Sequence, residues 1–133
     1  MQVKMRVNVS AEAFYHVLVQ SAMDEIKQVT GRTVDEARLT KGMTYRKKSA
    51  GRSIKVKIGK LVPNRKYTAI FVTVFSRLTF TYAFEPIDDR SCTITYTQDY
   101  LGPGSMDERE AAKQVRKTIR DAEKRIRKKQ SGK

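Results

Sequence analysis

Leu78-Thr79-Phe80-Thr81-Tyr82-Ala83-Phe84-Glu85 carries the clearest strand pattern in the chain. Leu78, Phe80, Tyr82 and Phe84 alternate with Thr79, Thr81, Ala83 and Glu85, the period-two pattern of a strand with one face in a core. Pro86 is expected to end it, and Asp88-Asp89-Arg90-Ser91 to turn the chain. Residues 92–100 then put Ile94 and Tyr96 on one face and Thr93, Thr95 and Thr97 on the other. Upstream, residues 66–75 are apolar on nearly both faces and follow a Pro63-Asn64 turn. Residues 43–48 and 54–62 flank Ser49-Ala50-Gly51-Arg52, which reads as a four-residue hairpin loop placing Arg46 opposite Lys55 and Thr44 opposite Lys57. Val3, Met5 and Val7 alternate with Lys4, Arg6 and Asn8, a further half-buried strand. Six strands joined mainly by short turns predict an antiparallel meander.

Helices bracket this sheet. Ser10 is placed to cap a helix start, and Phe14, Val17, Leu18, Ala22, Ile26 and Val29 recur at three- and four-residue spacing until Gly31 closes the helix. Thr33-Val34-Asp35-Glu36 has capping-box spacing, which predicts a second, short helix reaching Leu39. Gly102-Pro103-Gly104 breaks the sheet, and the Ser105-to-Glu108 spacing predicts a last helix over 106–129, roughly 35 Å long at 1.5 Å per residue. Acids at its start and Arg125, Arg127, Lys128 and Lys129 at its end complement the helix dipole. Its apolar stripe is thin: Ala111, Ala112, Val115, Ile119, Ala122 and Ile126. One domain over 1–129 with a polar tail at 130–133 is expected.

Composition limits the function classes. A chain of 133 residues suits one core, and no apolar stretch reaches the roughly 18–20 residues of a membrane span. The alternating start, Met1 to Val7, lacks the apolar run of a signal peptide, and the lone Cys92 allows no internal disulfide; a reducing cytoplasm is the expected location. The formal charge of +14 is unevenly spread: ten bases and no acid lie between Lys41 and Lys66. Such a distribution attracts anionic partners, or serves only solubility.

The order strand, two helices, strands, long C-terminal helix resembles the helix-grip arrangement of the START-like superfamily. That superfamily includes lipid-transfer domains, polyketide cyclases, pollen-allergen proteins and chaperone ATPase activators. The opening strand running into Ser10-Ala11-Glu12-Ala13-Phe14 is similar to the usual entry of these proteins. The segment Leu39-Thr40-Lys41-Gly42-Met43-Thr44-Tyr45-Arg46-Lys47 resembles, more narrowly, a family of short bacterial proteins of unknown function within it. The resemblance covers essentially the whole chain. It implies an α+β fold, a curved antiparallel sheet of about six strands with two N-terminal helices and a long C-terminal helix packed across the sheet. It also implies a cavity between sheet and helix in which many members hold apolar or amphipathic small molecules.

Phe80, Tyr82, Phe84, Ile94, Tyr96 and Tyr100 fall on alternating positions of neighbouring strands, and Ala112, Val115 and Ile119 would face them from the last helix. Aromatics opposite small residues either line a space with phenol groups for orientation, or fill a core that the alanines allow the helix to approach. A ridge of Arg46, Lys48, Lys55 and Lys57 sets like charges across two strands, and binding of an anion would relieve their repulsion. The outward neighbours are Thr and Ser, with no aromatic row for bases and no nucleic-acid motif, so sequence-specific nucleic-acid binding is not expected. His16, the only histidine, falls on the polar side of its helix, and Cys92 has no motif partner; a metal site or catalytic constellation is not expected, nor is a cofactor.

Overall fold

The computed structural model describes residues 1–132. Its elements are β1 (Gln2–Val7), α1 (Ala11–Thr30), a 3-10 turn (Glu36–Arg38), β2 (Thr44–Ser49), β3 (Arg52–Val62), β4 (Lys66–Val72), β5 (Arg77–Asp88), β6 (Ser91–Leu101) and α2 (Glu108–Ser131). The six strands form one sheet in the order β1-β6-β5-β4-β3-β2, antiparallel throughout. The meander and the long last helix are as expected. β1 and β2 are the two edges, and both helices lie on the face that carries the apolar side chains.

Local chemistry explains most boundaries. Ser10 Oγ accepts from the Ala13 N–H at 3.0 Å, and Gly31 closes α1 in the left-handed region, its N–H donating to the Lys27 carbonyl. The hairpin between β2 and β3 is tighter than expected: Ser49 pairs with Arg52, leaving Ala50 and Gly51, both at positive φ, as a two-residue turn. The register is the expected one, Arg46 opposite Lys55 and Thr44 opposite Lys57. β4 stops at Val72 rather than at residue 75, because Thr73 and Ser76 bond to one another and close a turn. β5 runs past Pro86 to Asp88. Its pairing with β4 has ended at Ala83, so Pro86 removes no donor from a two-sided ladder.

Two helical expectations are corrected. No α-helix forms over 33–39; Asp35 instead caps the 3-10 turn by accepting from Arg38 N–H at 3.1 Å. Val34 and Leu39 are both buried, and in an α-helix residues five apart point about 140° from one another. A short helix could not bury both. The start of α2 falls at Asp107, which accepts from Glu110 N–H, and not at Ser105. α2 also continues to Ser131, into the stretch expected as a tail; Lys133 lies outside the described residues.

α2 lies along the β1 edge. The Asn8 N–H donates to Glu123 Oε2 at 2.6 Å, Arg120 donates to the Arg6 carbonyl at 3.1 Å, and the Met1 ammonium lies 3.5 Å from Glu108. The helix thereby covers an edge that would otherwise offer free backbone groups. The core is continuous from α1 (Phe14, Val19, Ile26) through the sheet (Val3, Val56, Ile58, Ile94) to α2 (Ile119, Ile126).

Candidate functional site

The sheet face under the helices is a floor of aromatics fixed by the ladder register. Tyr82 pairs with Tyr67 and Tyr96, Phe84 with Ile94, and Phe80 with Ala69 and Gln98. Ring centroids stand 5.0 Å apart for Tyr82 and Tyr96, 6.1 Å for Phe80 and Tyr96, and 5.3 Å for Phe71 and Phe80. α1 closes one end of this floor. Phe14 meets Tyr82 at 6.1 Å and Phe84 at 5.8 Å, and Tyr15 meets Tyr67 and Phe84 edge-on.

The helices do not cover the floor evenly. Ser10 at the start of α1 and Gln130 at the end of α2 line the same cleft, so the helices meet there. At the other end Glu25 of α1 reaches Tyr45 and Lys47 on β2, whereas α2 begins near Met1 of the β1 flank. β1 and β2 are opposite edges of the sheet, so α1 and α2 diverge across its width. Between them lie Phe71, Leu78 and Phe80 on the floor, with Leu18, Met23 and Val115 from the helices, all half-buried. The two helix axes thus enclose a wedge, narrow where Ser10 and Gln130 meet and wide toward the ends marked by Glu25 and Met1.

Polar groups flank the wedge. On the β2 side Tyr45 donates to Glu25 at 2.6 Å, and Lys47 lies 3.1 Å from the same carboxylate and 4.8 Å above the Phe71 ring. On the β6 side Tyr96 donates to Gln98, whose amide faces Met106. Burial pushes the Tyr67 and Tyr82 phenols up to about 12. Burial and then the bond to Glu25 raise Tyr45, and burial and then Tyr82 raise Tyr96. At neutral pH these phenols are neutral donors. The arrangement can hold an apolar body and orient a polar end; no group of three metal-ligating side chains occurs among the described residues.

Of the residues singled out from the sequence, Tyr82, Phe84, Ile94 and Tyr96 are buried and Phe80 is half-buried. Tyr100 pairs with Leu78, its hydroxyl donating to the Pro103 carbonyl at 2.9 Å. Ala112 and Ile119 are buried and Val115 half-buried on α2, but the ring contacts onto Tyr82 and Phe84 come from α1. Arg46, Lys48, Lys55 and Lys57 share the opposite, outer face of the sheet; Lys55 is half-buried and the others exposed. His16 is exposed and Cys92 fully buried, with its thiol pushed up to about 11 by burial and then by Glu123. Sequence reasoning missed Tyr15, Glu25, Lys47, Phe71 and Gln98. Alternation from Tyr67 marks Phe71, and alternation from Tyr96 marks Gln98. Nothing local marks Glu25 or Lys47, which are brought together across two elements.

Residues 1–128 match the family described as a domain of unknown function, DUF3284. No curated protein matches the chain. Among solved structures, the chain is similar to the Aha1 dimer from Colwellia psychrerythraea, with 13% identity, TM-score 0.64, and coverage of 95% of this chain and 94% of that one. It is similar to a START superfamily protein from Mycobacterium smegmatis, with 11% identity, TM-score 0.61, and coverage of 96% and 97%. It is also similar to a norcoclaurine synthase point mutant from Thalictrum flavum, with 11% identity, TM-score 0.59, and coverage of 98% and 95%. The fold is the START-like helix grip.

Proposed function

The chain belongs to the DUF3284 family and carries the START-like fold, and from that premise we propose that it binds a small, partly apolar molecule in the wedge between α1 and α2. The observation that carries this reading is the strip of Phe71, Leu78 and Phe80, left half-buried where the helices part. At the closed end the helix rings of Phe14 and Tyr15 stand against the floor, whereas among the described residues no helix ring meets Phe71 or Phe80. The likeness in fold to a norcoclaurine synthase in complex with a transition-state analogue supports a scaffold able to hold a small molecule. The ligand's apolar body lies over Phe80 and Tyr96, with Val115 and Tyr100 at its sides. Tyr82, Phe84, Ile94, Ala112 and Ile119 back the site from within the core. Its polar end meets Lys47 on one flank or Gln98 on the other. No helix among the described residues is long and apolar enough to cross a membrane.

Native mass spectrometry of gently purified protein, with organic extraction, tests this reading. A stoichiometric small molecule is expected, together with saturable uptake of the neutral dye N-phenyl-1-naphthylamine that Val115→Trp abolishes. A bare protein whose dye uptake is the same with and without Val115→Trp would sink it. A second reading rests on Arg46 and Lys55, which face one another across β2 and β3 with no ion-pair partner among the described residues. With Lys48 and Lys57 they are proposed to meet an anionic partner by charge rather than by base sequence.

A further inference from the structure

The turn between β4 and β5 holds two apolar side chains out in water. The Thr73 N–H donates to the Ser76 carbonyl at 2.9 Å, the two hydroxyls meet at 2.7 Å, and the Ser76 N–H donates back to Thr73 Oγ1 at 3.0 Å. This pinch leaves Val74 and Phe75 at the apex, 89% and 77% exposed. Leu101, 68% exposed, lies beside them, paired with Arg77. Gly, Asn or Asp would serve a turn without presenting apolar surface to water. Three large apolar groups clustered at one end of a sheet mark a contact surface.

The ladder row beside the apex carries only positive charge, and Asp99 stands two residues further back, opposite Thr79. The ladder row next to it reads Leu101, Arg77, Val72, Lys55 and Arg46 across the sheet, and Lys48 and Arg52 follow toward the β2–β3 turn. Arg46, Lys48, Arg52, Lys55 and Arg77 form no ion pair among the described residues. An apolar apex with unpaired cations set one register step back matches a bilayer interface, where apolar groups enter beneath the headgroups and cations stay at the level of the phosphates.

We propose that this end of the sheet docks the protein on an anionic lipid bilayer. Val74 and Phe75 enter the boundary between headgroups and acyl chains, and Arg46, Lys55 and Arg77 meet lipid phosphates. Nucleic acid fits less well, because Phe75 is a single ring and gives no stacking row. A stable protein interface takes roughly 800 Å² per partner with a broad apolar centre, whereas the exposed apolar groups here are the three side chains Val74, Phe75 and Leu101. The docking does not depend on the wedge holding a ligand.

The chain contains no tryptophan, so Phe75→Trp places a sole indole at the apex. With vesicles of phosphatidylcholine containing phosphatidylglycerol, its emission is expected to shift to the blue and to be quenched by brominated acyl chains. Vesicles of phosphatidylcholine alone should leave it unchanged. The double variant Val74→Ser, Phe75→Ser keeps the net charge of +14 and is expected to partition onto anionic vesicles about tenfold less strongly in sedimentation. Both positions are exposed, so the fold tolerates each change. Equal partition of the double variant and the parent protein overturns the proposal, leaving adsorption by charge alone. An indole that keeps its aqueous emission on sedimented vesicles, or an absence of binding to anionic vesicles at low salt, overturns it as well.

Discussion

Replacing Glu123 by Ala should loosen α2 from the sheet more than any other single change of a charged residue. Its carboxylate is buried and does two things: Oε2 accepts from the Asn8 backbone at 2.6 Å, and Oε1 lies 2.9 Å from Arg120. A hydrogen bond to a charged group contributes about 1.5–3 kcal/mol net. The Arg120 pair is half-exposed and screened by solvent, so it adds only about 0.2–1 kcal/mol. Asn8 itself is exposed, so water replaces part of the lost bond and the total for Glu123→Ala is about 2–3 kcal/mol. At a urea dependence of about 1–3 kcal/mol per molar, the unfolding midpoint should drop by roughly 0.7–3 M with an unchanged slope. Glu123→Gln keeps an acceptor for Asn8 and should lose about 1 kcal/mol, and Arg120→Ala no more than that. Hydrogen exchange at the Asn8 amide should accelerate in Glu123→Ala and not in Arg120→Ala. A loss under about 0.5 kcal/mol for Glu123→Ala would show that neither contact holds α2, and an equal loss for Arg120→Ala would show that the ion pair carries the contact and the backbone bond nothing.

Gly59→Ala should destabilise by about 1–3 kcal/mol, because the added Cβ would stand 2.8 Å from Thr68 Cγ2 in a β-branched side chain with little freedom to move. Thr68→Ser removes that methyl and should restore part of the loss, read as a recovered midpoint in thermal unfolding. Stability should also fall in alkali. Tyr67 and Tyr82 stand at about 12 in the folded chain against an ordinary 10.0, both mainly through burial. Their contribution is complete below about pH 10 and is lost as pH rises toward about 12, where the unfolded chain releases phenolic protons that the folded one retains. A urea midpoint that stays flat across that window would show that these phenols are wetter than their burial implies.

The sheet was legible because its strands obey one rule. Leu78, Phe80, Tyr82 and Phe84 alternate cleanly, and the pairing of Arg46 with Lys55 follows from the hairpin spacing alone. The helices were less so. The face expected for α1 omitted Tyr15 and Val19 and included Val29, which is 42% exposed. A helix resting in a curved trough buries a wider arc than one on a flat surface, and after Ile26 the last turn of α1 is exposed. Val34 and Leu39 carry two anchors whose spacing suits no short α-helix, although the capping pattern before them suggests one. The alternating face shared by Phe80 and Tyr96 could be read directly. The wedge above it could not, because it arises from the angle between two helices. That angle is set by contacts such as Tyr45 with Glu25 and Asn8 with Glu123, which are 20 and 115 residues apart in the chain.

The pairing of β1 only with β6 has a consequence for the order of assembly. Met5 and its partner Ile94 are separated by most of the chain, whereas every other ladder joins strands that follow one another. β1 therefore finds its place only after the β5–β6 hairpin exists, and its outer edge is sealed only once α2 has formed. During synthesis β1 leaves the ribosome early and has no neighbour until β6 and α2 have followed it. A nascent chain whose β6 has not yet formed would thus hold the β2–β5 meander beside an unplaced N-terminal strand, and the loss of protease nicking within that strand would report the moment of closure.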